Sequence, residues 1–417
     1  MSRLARARAA AVRVFFQLFF RLLIGAASAA QWAVVAWVAV VGFGVSIAWP
    51  LHALAVAALY LVNRYLTRSR APRGGAALRV YTATAFISLF CAVFLLAAWV
   101  VSGLADGLLG ALAAQAVGPA GQGAVETGVD GAFRGIGTLG IAAIVVVMGY
   151  GYLVGQHELR VTRTAVPVSG LGGPLRLAQI SDIHIGQNLS RAQLEHFVAA
   201  VNATEPDLIC ITGDIADSPL ADLDTFFPLL ARLEARHGVF AILGNHDHHA
   251  GAERVTAALR RCTPFTVLRD DAVTLTHAGG RLHVIGLDDR GRDWARGLQT
   301  DACLEQLLAD APAGVPRLVL SHRPDTFPQA AGGAVALMLS GHTHGGQLAV
   351  PWFGGRRRNL AELITRFDRG LYRHGDAHLY VNTGLGVTGQ RIRLWTPREI
   401  SVFELAPVAI SPLAASA

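Results

Sequence analysis

The first 104 residues hold ten arginines and no acidic residue or lysine, and between the arginines they are almost wholly apolar. Arginine clusters alternating with long apolar runs mark a chain that folds partly in a bilayer. The run from Leu22 to Asn63 is about twice the ~20 residues one crossing helix needs, and Pro50 lies near a natural break. The spacing therefore predicts helices over about 24–48 and 50–63, followed by further spans at 80–104 and 135–155. A membrane domain of about four helices over 1–156 is the expectation, and a content of 53% hydrophobic against 16% charged residues agrees with it.

Arginine placement sets an expected orientation. Arg3, Arg6, Arg8, Arg13 and Arg21 precede the first span, and Arg64, Arg68, Arg70, Arg73 and Arg79 follow the second. Both groups favour the cytoplasm. The 105–134 stretch carries Asp106, Glu126 and Asp130 and suits the opposite side. A fourth crossing then returns the chain to the cytoplasmic face. A cleaved signal would explain one apolar run of the four, and residues 1–20 lack the adjacent arginines of a twin-arginine signal. The phenylalanines among the arginines of 5–21 suit either an interfacial helix or the basic flank of the first span. Beyond residue 104 the chain is slightly acidic, 26 basic against 29 acidic residues, so the net charge of +7 belongs to the membrane flank and nucleic acid is not an expected partner. Cys91, Cys210, Cys262 and Cys303 have no regular spacing, which suits reduced thiols.

The second half reads as alternating strands and helices, hence α/β. Apolar strand-like runs end at Asp182-Ile183-His184, Gly213-Asp214, Gly244-Asn245-His246-Asp247, His322 and Gly341-His342-Thr343-His344. Open α/β sheets build their sites at the C-terminal ends of strands. Carboxylate, amide and imidazole donors suit Mn, Fe or Zn, and the number of donors suits two ions with one shared carboxylate. Two metals about 3.5–4 Å apart are a standard apparatus for attack on a phosphate ester. Ser190 reads as the cap of a helix bearing Leu194, Phe197, Val198 and Val201; helices are also expected over 219–236 and 251–262, and strands over 391–404.

These blocks, in this order, resemble the calcineurin-like metallophosphoesterase superfamily, with Asp217 completing a GD-x-x-D pattern. The resemblance covers about 174–405, and the strings Ser340–Gln347 and Thr383–Gly389 resemble its membrane-associated bacterial branch and the transmembrane proteins with a metallophosphoesterase domain. It implies a two-sheet β-sandwich flanked by helices over 174–407, after a linker and first strand at 157–173 and before a tail at 408–417. It implies that Asp182, His184 and His344 hold one divalent ion, Asn245, His322 and His342 the other, and that Asp214 bridges them. It implies attack on phosphorus by a bridging hydroxide, with His246 donating to the phosphate or leaving oxygen and Asp217 orienting it. The implied protein is a multi-pass enzyme of the bacterial inner membrane acting on a phosphate ester or pyrophosphate. The anchor suggests a lipid-linked substrate such as UDP-2,3-diacylglucosamine, although soluble hydrolases of that compound carry Arg where this chain has His246. A general phosphodiesterase or phosphatase acting on nucleotides or envelope polymers is the alternative enzyme. A non-catalytic membrane sensor is the alternative of another class. Arg391 and Arg393 suit a solvated strand face or a second phosphate, and Arg356–Arg358 beside Trp352-Phe353 suit an anionic lipid surface or a plain loop.

Overall fold

The computed structural model describes residues 3–68, 75–218, 221–289 and 300–408, so Arg70 and Arg73 lie outside it. The chain divides into two units, Met1–Tyr150 and Gly151–Ala417.

The N-terminal unit consists of α1 (Arg3–Trp37), α2 (Trp49–Arg68), α3 (Ala76–Val117) and α4 (Pro119–Leu153). Among the described residues three helical segments are long and apolar enough to cross a membrane: Leu18–Gly42, Ala76–Val117 and Pro119–His157. The expected 50–63 span lies inside the 20-residue α2, which is not among those three. The 105–134 stretch is helical and is interrupted only at Gly118, where a left-handed φ of 79° is followed by Pro119. A glycine past one helix end and a proline opening the next is the usual stop-and-start punctuation, and the alanines around it favour helix. One group of polar side chains inside this unit is mutually bonded. The Asn63 amide donates to Ser28 Oγ (2.9 Å) and Gln31 Oε1 (2.7 Å), and it accepts from the Tyr81 hydroxyl (2.9 Å).

Among the described residues the C-terminal unit holds two six-stranded sheets and a two-stranded hairpin. Its strands are β1 (Leu159–Ser169), β2 (Leu175–Ile180), β3 (Leu208–Thr212), β4 (Val239–Ile242), β5 (Thr266–Val267), β6 (Asp271–His277), β7 (Gly280–Gly286), β8 (Arg317–Leu320), β9 (Val335–Ser340), β10 (Ala349–Pro351), β11 (Arg357–Asn359), β12 (Gly370–His374), β13 (Ala377–Val381) and β14 (Arg398–Val408). One sheet has the order β1-β14-β2-β3-β4-β5, the other β12-β13-β9-β8-β7-β6, and β10 pairs with β11. Strand alternation explains the layering. Leu175, Leu177, Leu208 and Cys210 point between the sheets, where Leu318, Leu320, Leu337 and Leu339 meet them. The intervening Ala178, Ile180, Ile209 and Ile211 point outward onto α5 (Arg191–Asn202), α6 (Leu223–Leu230) and α7 (Asn245–Cys262). The short helices α8 (Ala302–Ala309) and α9 (Phe327–Gly332) cover the other sheet through Leu304, Phe327 and Ala330. The result is the expected sandwich with helical flanks.

Ser190 caps α5 as expected, accepting the Gln193 N–H while the Gln193 side chain returns to the Ser190 N–H, both at 3.2 Å. The helix expected over 219–236 is confined to α6; α7 starts at Asn245 but breaks at Gly251 (φ 102°), and the part after the break matches the helix expected over 251–262. The strand expected from 391 begins only at Arg398. Residues 391–397 are irregular because Arg393 turns inward and is spent on loop carbonyls, as described below.

Candidate metal centre

Parallel strands β2, β3 and β4 in one sheet, and β8 and β9 in the other, each release the chain directly into one of the five predicted blocks. The backbone there is under strain. Asp182, His184, Asp214, His342 and His344 all have φ between 49° and 70°, left-handed values that cost a non-glycine residue about 1–3 kcal/mol each. Neighbouring side chains leave no slack. A Cβ on Gly341 would stand 1.9 Å from Ser181 Oγ and 2.3 Å from Asp182 Oδ2, so only glycine lets that turn lie against Asp182.

The donor atoms of Asp182, His184 and His344 lie within 4.8 Å of one another, as do those of Asp214, His322 and His342. The Nε2 atoms of His184 and His344 are 3.0 Å apart, and His344 Nε2 is 3.4 Å from Asp182 Oδ1. On the other side, His322 Nε2 lies 3.2 Å from Asn245 Oδ1. Asp214 Oδ2 stands between the two groups, 3.3 Å from His322 Nε2 and 3.7 Å from His184 Nε2. Its other oxygen accepts the His246 N–H at 2.8 Å. The second nitrogen of His322, Nδ1, is 2.8 Å from the Thr212 carbonyl, which orients the ring.

Charge in this cluster is balanced by imidazole against carboxylate. Burial would raise Asp214, but His322, then His184 and His246, hold it well below the carboxylate range. Burial raises Asp182 despite His322. His322 reaches about 10, because Asp214 and Asp182 outweigh its burial. Burial and neighbouring cations keep His342 and His344 well below the ordinary imidazole value, so their lone pairs are free. Carboxylate, amide and imidazole donors converging on two adjacent points, with one carboxylate between them and no thiolate among them, fit a pair of borderline divalent ions.

His246 stands beside this cluster, its Nδ1 3.3 Å from Asp217 Oδ1. The same Asp217 oxygen lies 3.1 Å from His184 Nδ1, so one carboxylate holds a candidate ligand and the candidate proton donor together. Burial opposes protonation of His246, but the hydrogen bond to Asp217 and the charge of Asp214 raise it to about 9. Asp247 is buried and accepts backbone N–H groups of Gly244, Ile215 and Ala216, tying α7 to the end of β3. Burial and Asp214 push it up to about 6.

Three features escaped the sequence. The Thr388 hydroxyl lies 3.1 Å from His184 Nε2 and 3.3 Å from His344 Nε2. Asp217 serves two imidazoles. Arg393 is fully buried, and its guanidinium bonds the carbonyls of Thr383, Gly384, Gly386 and Thr396 and lies 3.3 Å from His344 Nδ1. It therefore has neither the solvated face nor the second phosphate suggested for it. The Thr383–Gly389 string was the available signal for Thr388; the GD-x-x-D pattern marked Asp217 but not its second imidazole, and nothing local marked the burial of Arg393. His248 pairs with Asp288 at 2.8 Å and is no part of the cluster.

A two-sheet sandwich with paired metal-competent donors at its strand ends suits metal-dependent hydrolysis, and the sequence relatives define the class. The calcineurin-like phosphoesterase family model matches residues 175–346. The Bacillus subtilis metallophosphoesterase YkuE is 32% identical over 287 residues, 64% of this chain and 94% of that one. The Bos taurus transmembrane protein with metallophosphoesterase domain is 28% identical over 283 residues, 64% of this chain and 62% of that one. A solved dimetal phosphatase from Danio rerio aligns over 56% of this chain and 93% of its own at 12% identity, with a TM-score of 0.39. The chain belongs to the calcineurin-like metallophosphoesterase family and is a metal-dependent phosphoesterase.

Proposed function

We propose that this chain is a membrane-anchored phosphoesterase with a dinuclear centre and that its substrate is a lipid-linked phosphate ester or pyrophosphate. Asp182, His184 and His344 would hold one ion, Asn245, His322 and His342 the other, with Asp214 shared. Mn, Fe and Zn all suit this donor set. Such a pair supplies Lewis acidity toward the phosphate and lowers the pKa of bound water. The chain's own contribution is orientation and proton transfer. Asp217 fixes His184 and His246 relative to each other, and the raised proton affinity of His246 keeps it charged at neutral pH, ready to donate to the departing oxygen. The Thr388 hydroxyl lies where it can hydrogen-bond a phosphate oxygen.

The observation that favours a lipid-linked substrate is the rim of the site. The cavity over Asp214, His246 and His342, about 210 Å³, is closed on one side by Ala361, Ile364 and Thr365. The neighbouring Leu360 and Leu363 are largely exposed. A phosphate group directed to the centre would leave its apolar moiety against these side chains. The test is turnover by the full chain, Mn-loaded in nanodiscs, of a polyprenyl-pyrophosphate-linked sugar and of bis-p-nitrophenyl phosphate. Turnover of the lipid substrate at the higher kcat/KM supports the reading. Hydrolysis of the soluble diester alone would refute it.

The cytoplasmic orientation belongs to the same proposal. It requires α2 to cross, and the return of α2 along α1, through Asn63 on Ser28 and Gln31, supports that crossing. A reporter fused after Ala417 should be active only inside the cell, and a periplasmic signal would reverse the topology.

A further inference from the structure

Guanidinium groups gathered in a concave surface without matching acids form a site for an anion. The C-terminal unit has one such surface outside the metal centre. A cavity of about 750 Å³ is walled by five arginines, Arg160, Arg356, Arg357, Arg358 and Arg369, against three acids, Glu362, Asp368 and Glu399. All three acids are already engaged. Glu399 accepts from Thr162, Tyr380 and the Thr383 N–H. Asp368 accepts from Asn359 and Tyr372 (2.6 and 2.7 Å), and Glu362 pairs with Arg358 at 2.5 Å. Arg357 and Arg369 are turned onto backbone carbonyls of Trp395 and Arg357. Among the described residues Arg160 and Arg356 have no side-chain ion pair or hydrogen bond, and both are exposed.

What surrounds the cavity narrows the ligand. The β10–β11 hairpin that supplies Arg356 and Arg357 carries Trp352 and Phe353 at its tip, 54% and 85% exposed. The tip is closed by the Trp352 N–H on the Arg356 carbonyl at 2.8 Å, so the aromatic pair and the unpaired cation are held on one short loop. Leu360 and Leu363, 63% and 78% exposed, follow directly. Exposed aromatics beside arginine suit the boundary between headgroups and acyl chains. Covalent geometry adds a restraint. Arg160 comes three residues after His157, where the third apolar segment ends. At no more than ~3.6 Å per residue it stays within about 11 Å of that end.

We propose that this cavity is a binding site for the phosphate-bearing headgroup of an anionic glycerophospholipid, with Arg160 and Arg356 on the phosphate and Trp352 and Phe353 against the acyl chains. It is separate from the metal centre but shares a wall with it. A Cβ on Gly345, the residue after His344, would meet Thr383, Thr396 and Arg369, and all three line the cavity. A lipid held there would keep the mouth of the centre against the membrane surface. The inference does not rest on the substrate proposed above.

The test uses the full chain carrying Asp214→Asn, so that binding is read without turnover, in lauryl maltose neopentyl glycol micelles. Titration calorimetry compares dioctanoyl phosphatidylglycerol, dioctanoyl phosphatidylcholine and inorganic phosphate. Phosphatidylglycerol should bind about tenfold tighter than phosphatidylcholine, and tighter than phosphate. Arg160→Gln with Arg356→Gln should abolish that preference; both positions are exposed, and an unchanged melting temperature would verify the fold. Phe353→Ser should weaken phosphatidylglycerol several-fold and leave phosphate unaffected. Equal affinity for the two lipids, or a preference that survives the double substitution, would overturn the proposal. So would inorganic phosphate binding as tightly as phosphatidylglycerol, which would make this a soluble-anion site. Failure to hydrolyse any lipid-linked substrate, with the preference intact, would count against the proposed substrate and leave this site standing.

Discussion

The metal centre and the arginine cavity share a wall and are built on opposite principles. The centre sits at the ends of five strands, with mostly buried donors, five of them on strained left-handed backbone, and each carboxylate within reach of an imidazole. The cavity is framed largely by a hairpin and short turns, and two of its cations are unpaired and exposed. Chemistry that depends on sub-ångström placement is carried by the rigid part of the fold. Recognition of a mobile, charged surface is left to the part that can adapt.

The largest effect expected from that contrast is at Asp214. Asp214→Asn removes the one carboxylate between the two donor groups, and hydrolysis should fall by about a thousandfold or more. Metal content by elemental analysis should fall with it, and wild-type turnover would end the shared-ligand assignment. The same small substitution then separates the two regions. Gly341→Ala drives a methyl group into Ser181 and Asp182 and should cost about 3 kcal/mol. Gly355→Ala, at φ 72° but with nothing within 4 Å, should cost only about 1 kcal/mol of backbone strain. Comparable losses in thermal unfolding would erase the distinction between a rigid site and an adaptable one.

His246→Ala should slow turnover by about 10²–10⁴ while both metals are retained; metal loss would refute its place outside the ligand set. Its pKa fixes the sign of the pH response. Raised to about 9, His246 is protonated at neutrality, so donation weakens and rate falls as pH climbs through about 9. The alanine variant should lack that alkaline limb. The same charge contributes fully to folding stability below the ordinary imidazole value and ceases to do so above about 9. The smallest effect is local. Ser190→Ala removes the α5 cap and should cost about 1 kcal/mol in thermal unfolding, with no change in metal content.

Much of the centre was legible because each donor follows an apolar strand run with little intervening chain. Asp182, Asp214, Asn245, His322 and His342 could be placed at strand ends from sequence patterns alone. What could not be read depends on residues distant in sequence. Asp217 reaches His184 as well as His246 only because the ends of β2 and β3 lie side by side. Arg393 looked like a strand residue by alternation, and its burial follows from carbonyls that only the folded loop presents. The cavity joins β1, the β10–β11 hairpin and residues 395–399, which no sequence window brings together. In the membrane unit hydropathy located the apolar runs; over 112–130 the Ala-, Gly- and Gln-rich composition suits a loop or a weak surface helix, and the structure has helix there.

Arg393 has a mechanical consequence. Its guanidinium fastens the carbonyls of Thr383, Gly384 and Gly386 to the interior, and Leu385 and Gly386 are also bonded back to Ser181 and Asp182. That glycine-rich turn is therefore riveted in place and cannot serve as a swinging door over the imidazoles. The opposite lip, between Ala349 and Thr365, is also fastened, by Ala349 to Leu394, Asn359 to Asp368 and Thr365 to Asp325, so both sides of the mouth are held by side-chain and backbone bonds and a bulky ester meets a mouth of fixed width.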